Sequence, residues 1–265
     1  MLRTQEIIYT SAARGLKVGS KGFCTVASTR NMAKPLAERL EALSGYRHLG
    51  TPGDPCNPVT LSHVALVIGG KRHHVLSRIA DAGFDYSQRS NKIAHHIALT
   101  RQETCPAGPA WLLAESGFME TRWEGEPRFF EQGRAVPPGS LEPSHCSTWQ
   151  KVTGDAGWAG VLAETVWDTK QNEVYLICTR KADVLQLLLE SQALLPESER
   201  WSTTFTTNYT RLPPNVECRW RCVLDGSNEA EKAKRLRHVT VLDLTKPLGV
   251  PPEGPATAAA RKGEL

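Results

Sequence analysis

The amino-acid sequence predicts an α+β protein with a mixed, mostly antiparallel sheet or sheets and about four helices, built as two halves. Strand signals occur as hairpin pairs rather than in regular alternation with helices, helical patterns are few, and a polar stretch rich in proline and glycine lies mid-chain. The predicted divisions are an N-terminal α+β half at 1–120, a linker or excursion at 121–147, a C-terminal α+β half at 148–245 and a disordered tail at 246–265.

A β-hairpin is predicted at the start of the chain, and the later strands are expected to add around it. Apolar and β-branched residues dominate positions 7–10 and 23–29, as they do in strands. The loop between them contains three glycines and the basic residues Arg14, Lys17 and Lys21. Its glycine spacing is not that of a phosphate-binding loop, and it leads into a strand rather than a helix. The pattern therefore favours an exposed basic loop, which could contact an acidic partner, over a nucleotide site.

The rest of the N-terminal half follows from turn and periodicity signals. A leucine stripe with proline in the first turn predicts a helix, and a Gly-Gly pair between two apolar runs predicts a hairpin. In order, the expected elements are a helix at 31–44, a Pro/Gly-rich loop at 48–58, strands at 63–68 and 74–79, a strand at 93–100 and a helix at 109–117.

In the C-terminal half, Asp155 is expected to cap a helix. A strand at 201–209 is predicted because Trp201, Phe205 and Tyr209 fall on one face of an alternating pattern, and this face is expected to pack on a helix at 182–194. The other expected elements are strands at 174–178, 217–222 and 238–244. The tail has no large apolar residues in a stripe, which predicts disorder.

Composition limits the classes of function. The chain has 32 lysines and arginines against 28 aspartates and glutamates, a balance too mild to make nucleic acid the expected partner. No apolar run approaches the ~20 residues that span a bilayer, and no signal peptide is apparent at the N-terminus. Seven cysteines without regular spacing indicate reduced thiols. We therefore expect a cytoplasmic protein without a membrane partner.

Motifs for metal binding or catalysis are missing from the sequence. The pairs at 73–74 and 95–96 are adjacent histidines on predicted strands, so the two rings of each pair point to opposite faces and cannot share a metal ion. No HExxH, zinc-finger spacing or G-x-S-x-G is present. The sequence predicts no cofactor, no metal and no catalytic residue.

The polar segment 81–92 is the strongest remaining site candidate, because loop residues held by a sheet are common sites of recognition. The candidate side chains in and after it are Asp85, Tyr86, Arg89, Asn91 and His95. The alternative is a solvated connection in which the Asp and Asn serve only turn geometry.

Several blocks together resemble a known family. In order they are EIIYTSAARGLKVGSKGFCTVASTRNM, AERLEALSGYRHL, FDYSQRSNKIAHHIAL, TGDAGWAGVLAE and LLPESERWSTTFTTN. The set resembles the N-terminal module, type two, of the GTPase-associated adaptor proteins of bacterial conflict systems, over residues 6–224. No single block is diagnostic, but the order of the blocks is specific.

The resemblance implies a non-enzymatic adaptor or protein-interaction module that works with a small GTPase and other conflict-system proteins. It supplies no catalytic residues to carry over. Longer relatives continue into middle and C-terminal domains, whereas this chain is expected to end in the tail at 246–265. The candidate contact residues are the basic loop and the 81–92 group.

Two other functions remain open from the sequence. One is a hydrolase with His95 or His96 as base, and the other is a small-molecule or nucleotide sensor that uses the 81–92 loop. An enzyme or sensor should present a pocket with converging polar side chains and shifted pKa values. An adaptor should instead present an exposed apolar patch rimmed by charge.

Overall fold

A computed structural model describes residues 4–168 and 173–264. These residues form two compact units, each assembled from separate stretches of chain. Unit 1 runs to Thr104 and resumes over Glu115–Pro137 and Arg211–Glu217. Unit 2 comprises Cys105–Ala114, Pro138–Thr210 and the chain from Cys218 onward.

The α+β class is confirmed, and most paired residues lie in antiparallel ladders, but the predicted helix count is too low. The described ranges contain ten strands and eight α-helices rather than about four. Five of the eight helices have seven residues or fewer, which is too short for a periodic apolar stripe to stand out. Over the same ranges, no helix combines the length and apolarity needed to cross a bilayer.

Unit 1 is built on six strands in the order β3-β4-β5-β1-β2-β6. All neighbouring pairs are antiparallel except β2 and β6. The elements are β1 Gln5–Ala12, β2 Gly22–Thr29, α1 Lys34–Ala42, β3 Thr60–Ile68, β4 Lys71–Phe84, β5 Ser90–Leu99 and β6 Arg128–Phe130, with a 3₁₀ turn at Arg101–Glu103.

Both faces of this sheet carry covering chain within unit 1. On one face, α1 and the residues after it lie over β1, β2 and β5, where Ser44 contacts His96. On the other face, Trp123 and Phe130 pack against a buried cluster that includes Ile8. The stretch 121–147, expected as a linker or excursion, therefore supplies a strand and core contacts to unit 1 before its last residues enter unit 2.

Unit 2 contains a parallel sheet, which the sequence analysis missed. Its strands lie in the order β10-β7-β9-β8, and all three pairs are parallel. The elements are α2 Pro109–Ala114, α3 Ser147–Thr153, α4 Trp158–Glu164, β7 Val174–Cys178, α5 Val184–Ala193, α6 Glu197–Arg200, β8 Phe205–Thr206, β9 Trp220–Leu224, α7 Asn228–Ala233, β10 Thr240–Asp243 and α8 Pro255–Lys262, with a 3₁₀ turn at Thr165–Trp167.

The strand predicted at 201–209 is largely wrong, because only Phe205–Thr206 forms a strand. Trp201 ends the short helix α6 as its C-cap, and its indole Nε1 donates to the Cys105 carbonyl at 2.7 Å. The expected cap at Asp155 is also displaced, since Gly157 is the N-cap of α4. The Asp155 carboxylate instead accepts from the Gly157 N–H at 2.8 Å.

The predicted disorder of 246–265 is contradicted by α8. Four of its residues are buried, including Ala256 and Ala260, and the helix packs on α4. At Gly160 of α4 a Cβ atom would overlap the backbone of Ala256, so the two helices approach closely. Arg261 also pairs with Asp155 at 2.7 Å. Small residues bury little area, but they let helix backbones pack closely, and a search for stripes of large apolar residues does not detect such a contact.

Candidate functional site

The two groups of candidate residues lie at one end of the unit 1 sheet. The last residue of β1, Ala12, pairs with the first residue of β2, Gly22, and at the other hairpin Phe84 pairs with Ser90. Because β1 and β5 are neighbouring antiparallel strands, both hairpin connections project from the same end. We call this region, residues 13–23 and 84–91, the loop end.

Basic side chains stand exposed at the loop end. Arg14, Lys17, Lys21 and Arg89 are all exposed. Arg14 faces Glu126 at 3.9 Å, but both side chains are mostly in water, where an ion pair contributes little. The loop end therefore presents positive charge to solvent.

Apolar side chains are exposed beside these charges. The exposed fractions are 106% for Val18, 48% for Phe23, 57% for Phe84 and 51% for Tyr86. Lys92 makes a cation–π contact with Phe23, with its Nζ 5.0 Å from the ring centroid. Exposed apolar side chains at the same sheet end as exposed charges are what is expected of a protein-binding surface.

Asp85, expected as a contact residue, is instead buried in the framework of the loop end. One carboxylate oxygen accepts the Ser11 hydroxyl at 2.7 Å. The other accepts the N–H groups of Ser87 and Arg89 and the Ser87 hydroxyl. The hydrogen bond from Ser11 and those from the turn hold the pKa of Asp85 well below its usual range. The carboxylate shapes the turn, as the alternative interpretation expected.

Asn91 is also buried and faces inward. Its Oδ1 accepts the Ser11 N–H at 3.0 Å, and its Nδ2 donates to the Ser11 carbonyl at 3.4 Å. Of the 81–92 candidates, only Tyr86 and Arg89 are open to a partner. A small-molecule or nucleotide sensor that uses this segment stays a prediction.

His95 lies elsewhere, in the middle of β5, and is fully buried. Its Nδ1 accepts the Glu120 N–H at 3.0 Å, so Nε2 carries the proton and donates to Glu6 at 3.0 Å. Burial lowers the pKa of His95. Burial alone would raise the pKa of Glu6, but the His95 hydrogen bond and the Arg134 charge lower it. Both ring nitrogens are occupied, which leaves no free lone pair for a general base.

His96 points to the opposite face and is equally enclosed. Its ring nitrogens contact the hydroxyls of Ser77 at 2.7 Å and Ser44 at 2.9 Å. Burial lowers the pKa of His96 to about 3, so the ring is neutral at ordinary pH. The two histidines named as candidate bases are therefore held in the interior.

Sequence reasoning found the basic loop but missed Val18, Phe23 and Phe84. It also missed that the two hairpin connections lie at the same end of the sheet, because the sequence does not show that β1 and β5 are neighbours. Within residues 4–168 and 173–264, no three His, Cys, Asp or Glu side chains converge as metal ligands.

Two family models match the chain. One is described as GTPase-associated protein 1, N-terminal domain type 2, and matches residues 3–132. The other is described as GTPase-associated protein 1, middle domain, and matches residues 146–246. The N-terminal resemblance expected over 6–224 is thus confined to the first half, and the expectation that the middle domain is missing is wrong. No curated protein and no solved structure matches the chain.

Proposed function

Because the chain belongs to the GTPase-associated protein 1 family, we propose that it is a non-enzymatic adaptor that docks a GTPase through the loop end. The observation that carries the proposal is the placement of exposed apolar side chains beside exposed basic ones on a firmly paired sheet. Phe23 and Phe84 belong to strands at this end of the sheet, whereas Lys17 and Lys21 stand in the loop that precedes Phe23.

The two kinds of side chain have different roles in this proposal. The charges of Arg14, Lys17 and Lys21 steer an acidic partner surface toward the loop end, which raises the association rate and weakens with salt. The apolar side chains of Phe23 and Phe84 lose water on contact and slow dissociation. A rigid sheet end reduces the entropy lost on binding.

The test replaces Arg14, Lys17 and Lys21 together with glutamate. The matched control makes the same charge change at Lys151, Arg180 and Lys181, which are exposed in unit 2. Under this proposal the gene has a neighbour that encodes a small GTPase. Binding to that GTPase is followed by calorimetry, with GDP or a GTP analogue bound, at low and moderate salt.

We expect the loop-end variant to bind at least about tenfold more weakly at low salt, because close opposite charges become like charges. The difference should shrink at moderate salt, and the unit 2 control should bind as the parent does. Equal binding by all three proteins would contradict docking at the loop end. No binding by the parent in either nucleotide state would contradict the adaptor function itself.

We also propose that the adaptor and its GTPase act in a bacterial conflict, or defence, system together with other proteins of that system. The support is the family resemblance of the sequence blocks. Deletion of the gene should reduce survival under phage challenge, and expression of the parent, but not of the triple glutamate variant, should restore it. Equal survival with and without the gene across a panel of phages would argue against this role.

A further inference from the structure

A buried polar cluster at the base of the loop end joins its two hairpins. Ser11 belongs to β1, whereas Asp85 and Asn91 belong to the β4–β5 connection and to β5. All three are buried. None of them reaches the surface that is proposed to bind, so the cluster has a different task from Lys17 or Phe23.

The tip of the β4–β5 hairpin depends on Asp85. Its N–H donates to the Arg89 carbonyl at 2.8 Å, while its carboxylate accepts the N–H groups of Ser87 and Arg89 at 2.8 and 3.0 Å. Gln88 adopts a left-handed conformation with φ of 62°, which an ordinary side chain adopts only where the surroundings impose it. Asp85 therefore sets the path of the segment that exposes Tyr86 and Arg89.

Asn91 extends the pairing between β1 and β5. The last paired residues of that ladder are Thr10 and Ile93. One residue further along β1, the Asn91 amide accepts the Ser11 N–H and donates to the Ser11 carbonyl. The Asn91 side-chain amide thus makes the same donor and acceptor hydrogen bonds that a backbone peptide group makes in a β-ladder.

Ser11 is thus the junction of the loop end. Its backbone is paired with the Asn91 side chain, and its hydroxyl is bonded to Asp85. In the β1–β2 ladder it pairs with the exposed Phe23 of β2. We infer that Ser11, Asp85 and Asn91 are positioning residues that hold the two hairpins as one preformed docking surface. This inference rests on the proposed function, because it assigns these residues to the surface that receives the GTPase.

The first readout needs no partner. Hydrogen exchange is measured for the parent, Ser11→Ala and Asp85→Asn, with Ser77→Ala as the control. Ser77 is also a buried serine of this sheet, and its hydroxyl bonds to His96 away from the loop end. Each variant removes or weakens buried hydrogen bonds. A general loss of stability would therefore appear in the Ser77→Ala control as well as in the two loop-end variants.

We expect amides at 13–21 and 85–90 to exchange roughly tenfold faster in Ser11→Ala and Asp85→Asn, the scale of one lost buried hydrogen bond. The tip and the loop should respond together, although each substitution lies in only one hairpin. Ser77→Ala should leave exchange in both segments unchanged. Unchanged exchange in both loop-end variants, or a response confined to the substituted hairpin, would overturn the coupling.

The second readout is association with the GTPase. Ser11→Ala should slow association by roughly fivefold, because fewer molecules hold the surface ready to bind, and Ser77→Ala should not. Faster exchange with unchanged association would overturn the positioning role. If the parent binds no GTPase, the proposed function fails and the docking part of this inference fails with it, while the exchange data still decide whether the hairpins are coupled.

Discussion

His95 and His96 are neighbours in β5, yet strand geometry sends their rings to opposite faces, and each ring ends in a different network. His95 joins Glu6 and, through Glu6, Arg134. His96 sits between the hydroxyls of two serines, Ser44 and Ser77. Burial keeps both rings neutral, so acid should act on the stability of unit 1 through them.

The pH dependence can be predicted for His96, whose pKa is lowered to about 3 from an ordinary value near 6.5. Between those values the unfolded chain binds a proton that the folded chain does not. The stability contributed by the neutral His96 ring is therefore fully present above about pH 6.5 and is lost as the pH falls below 6.5. From pH 7 to pH 5 this single group should remove about 2 kcal/mol of unfolding free energy.

The check compares urea unfolding of the parent and His96→Gln at pH 7 and pH 5. The variant should be less stable at pH 7 but should lose about 2 kcal/mol less than the parent on acidification. His145→Gln changes an exposed histidine and should keep the dependence of the parent. Parallel losses for the parent and His96→Gln would contradict a neutral buried ring.

Residue roles could be predicted only where they are local. The sequence allowed Asp85 and Asn91 to be turn residues, because Asp and Asn often bond to the backbone near them. It could not reveal Ser11 as their shared partner, since 74 positions separate Ser11 from Asp85. A separation of 89 positions hid the bond between Glu6 and His95, and with it the burial of this histidine.

At the scale of elements, hairpins were predictable and parallel strands were not. The β3–β4 hairpin has its register set by a two-residue glycine turn at Gly69 and Gly70. In unit 2 the parallel neighbours β7 and β9 are separated by two helices and a third strand. No local pattern specifies such a pair. The short apolar runs identified the strands but not their partners.

The packing of α8 on α4 supports a prediction. Gly160→Ala should weaken this contact, because the added Cβ would overlap the backbone of Ala256 and Thr257. We expect a loss of about 1–3 kcal/mol in unfolding free energy, as for other overpacked sites. Limited proteolysis should also cut residues 247–254 sooner than in the parent.

Gly45→Ala is the matched control for this substitution, since a Cβ there meets nothing within 4 Å. It should leave both stability and proteolysis close to those of the parent. If Gly160→Ala behaves like Gly45→Ala, then α8 does not depend on close approach to α4, which would contradict this prediction.

At the scale of the whole molecule, the sequence boundary and the structural boundary differ. The matched domains meet between residues 132 and 146, but Cys105–Ala114 already belongs to unit 2, and Arg211–Glu217 returns to unit 1. Within unit 2 the Ala110 N–H donates to the Gln192 side chain at 3.1 Å. The predicted division into two consecutive halves assigns both of these segments to the wrong unit.

Fragments 1–137 and 138–265 should therefore not fold when they are produced separately. The first would expose Leu112 and Leu113 of α2, which are buried in unit 2, and would lack 211–217. We expect each fragment alone to aggregate or to show little cooperative unfolding, and the two together to recover one thermal transition.

The control is the 265-residue chain with a protease site inserted after Pro137, cleaved once it has folded. The cleaved chain should keep its cooperative thermal transition, because each segment was already folded into its unit before cleavage. Two separate fragments that each unfold cooperatively would show that the exchanged segments are not needed.

The return of 211–217 to unit 1 also has a consequence during synthesis. Glu217 exchanges backbone hydrogen bonds with Ala65 of β3 and pairs with Arg72 at 2.8 Å. Ribosomes deliver the N-terminus first, and domains that are contiguous can fold as they emerge. Unit 1 is translated first but is completed only after residue 217 has left the ribosome, when most of unit 2 has also been made. A stalled or prematurely terminated chain would therefore expose an unfinished β3 to neighbouring chains.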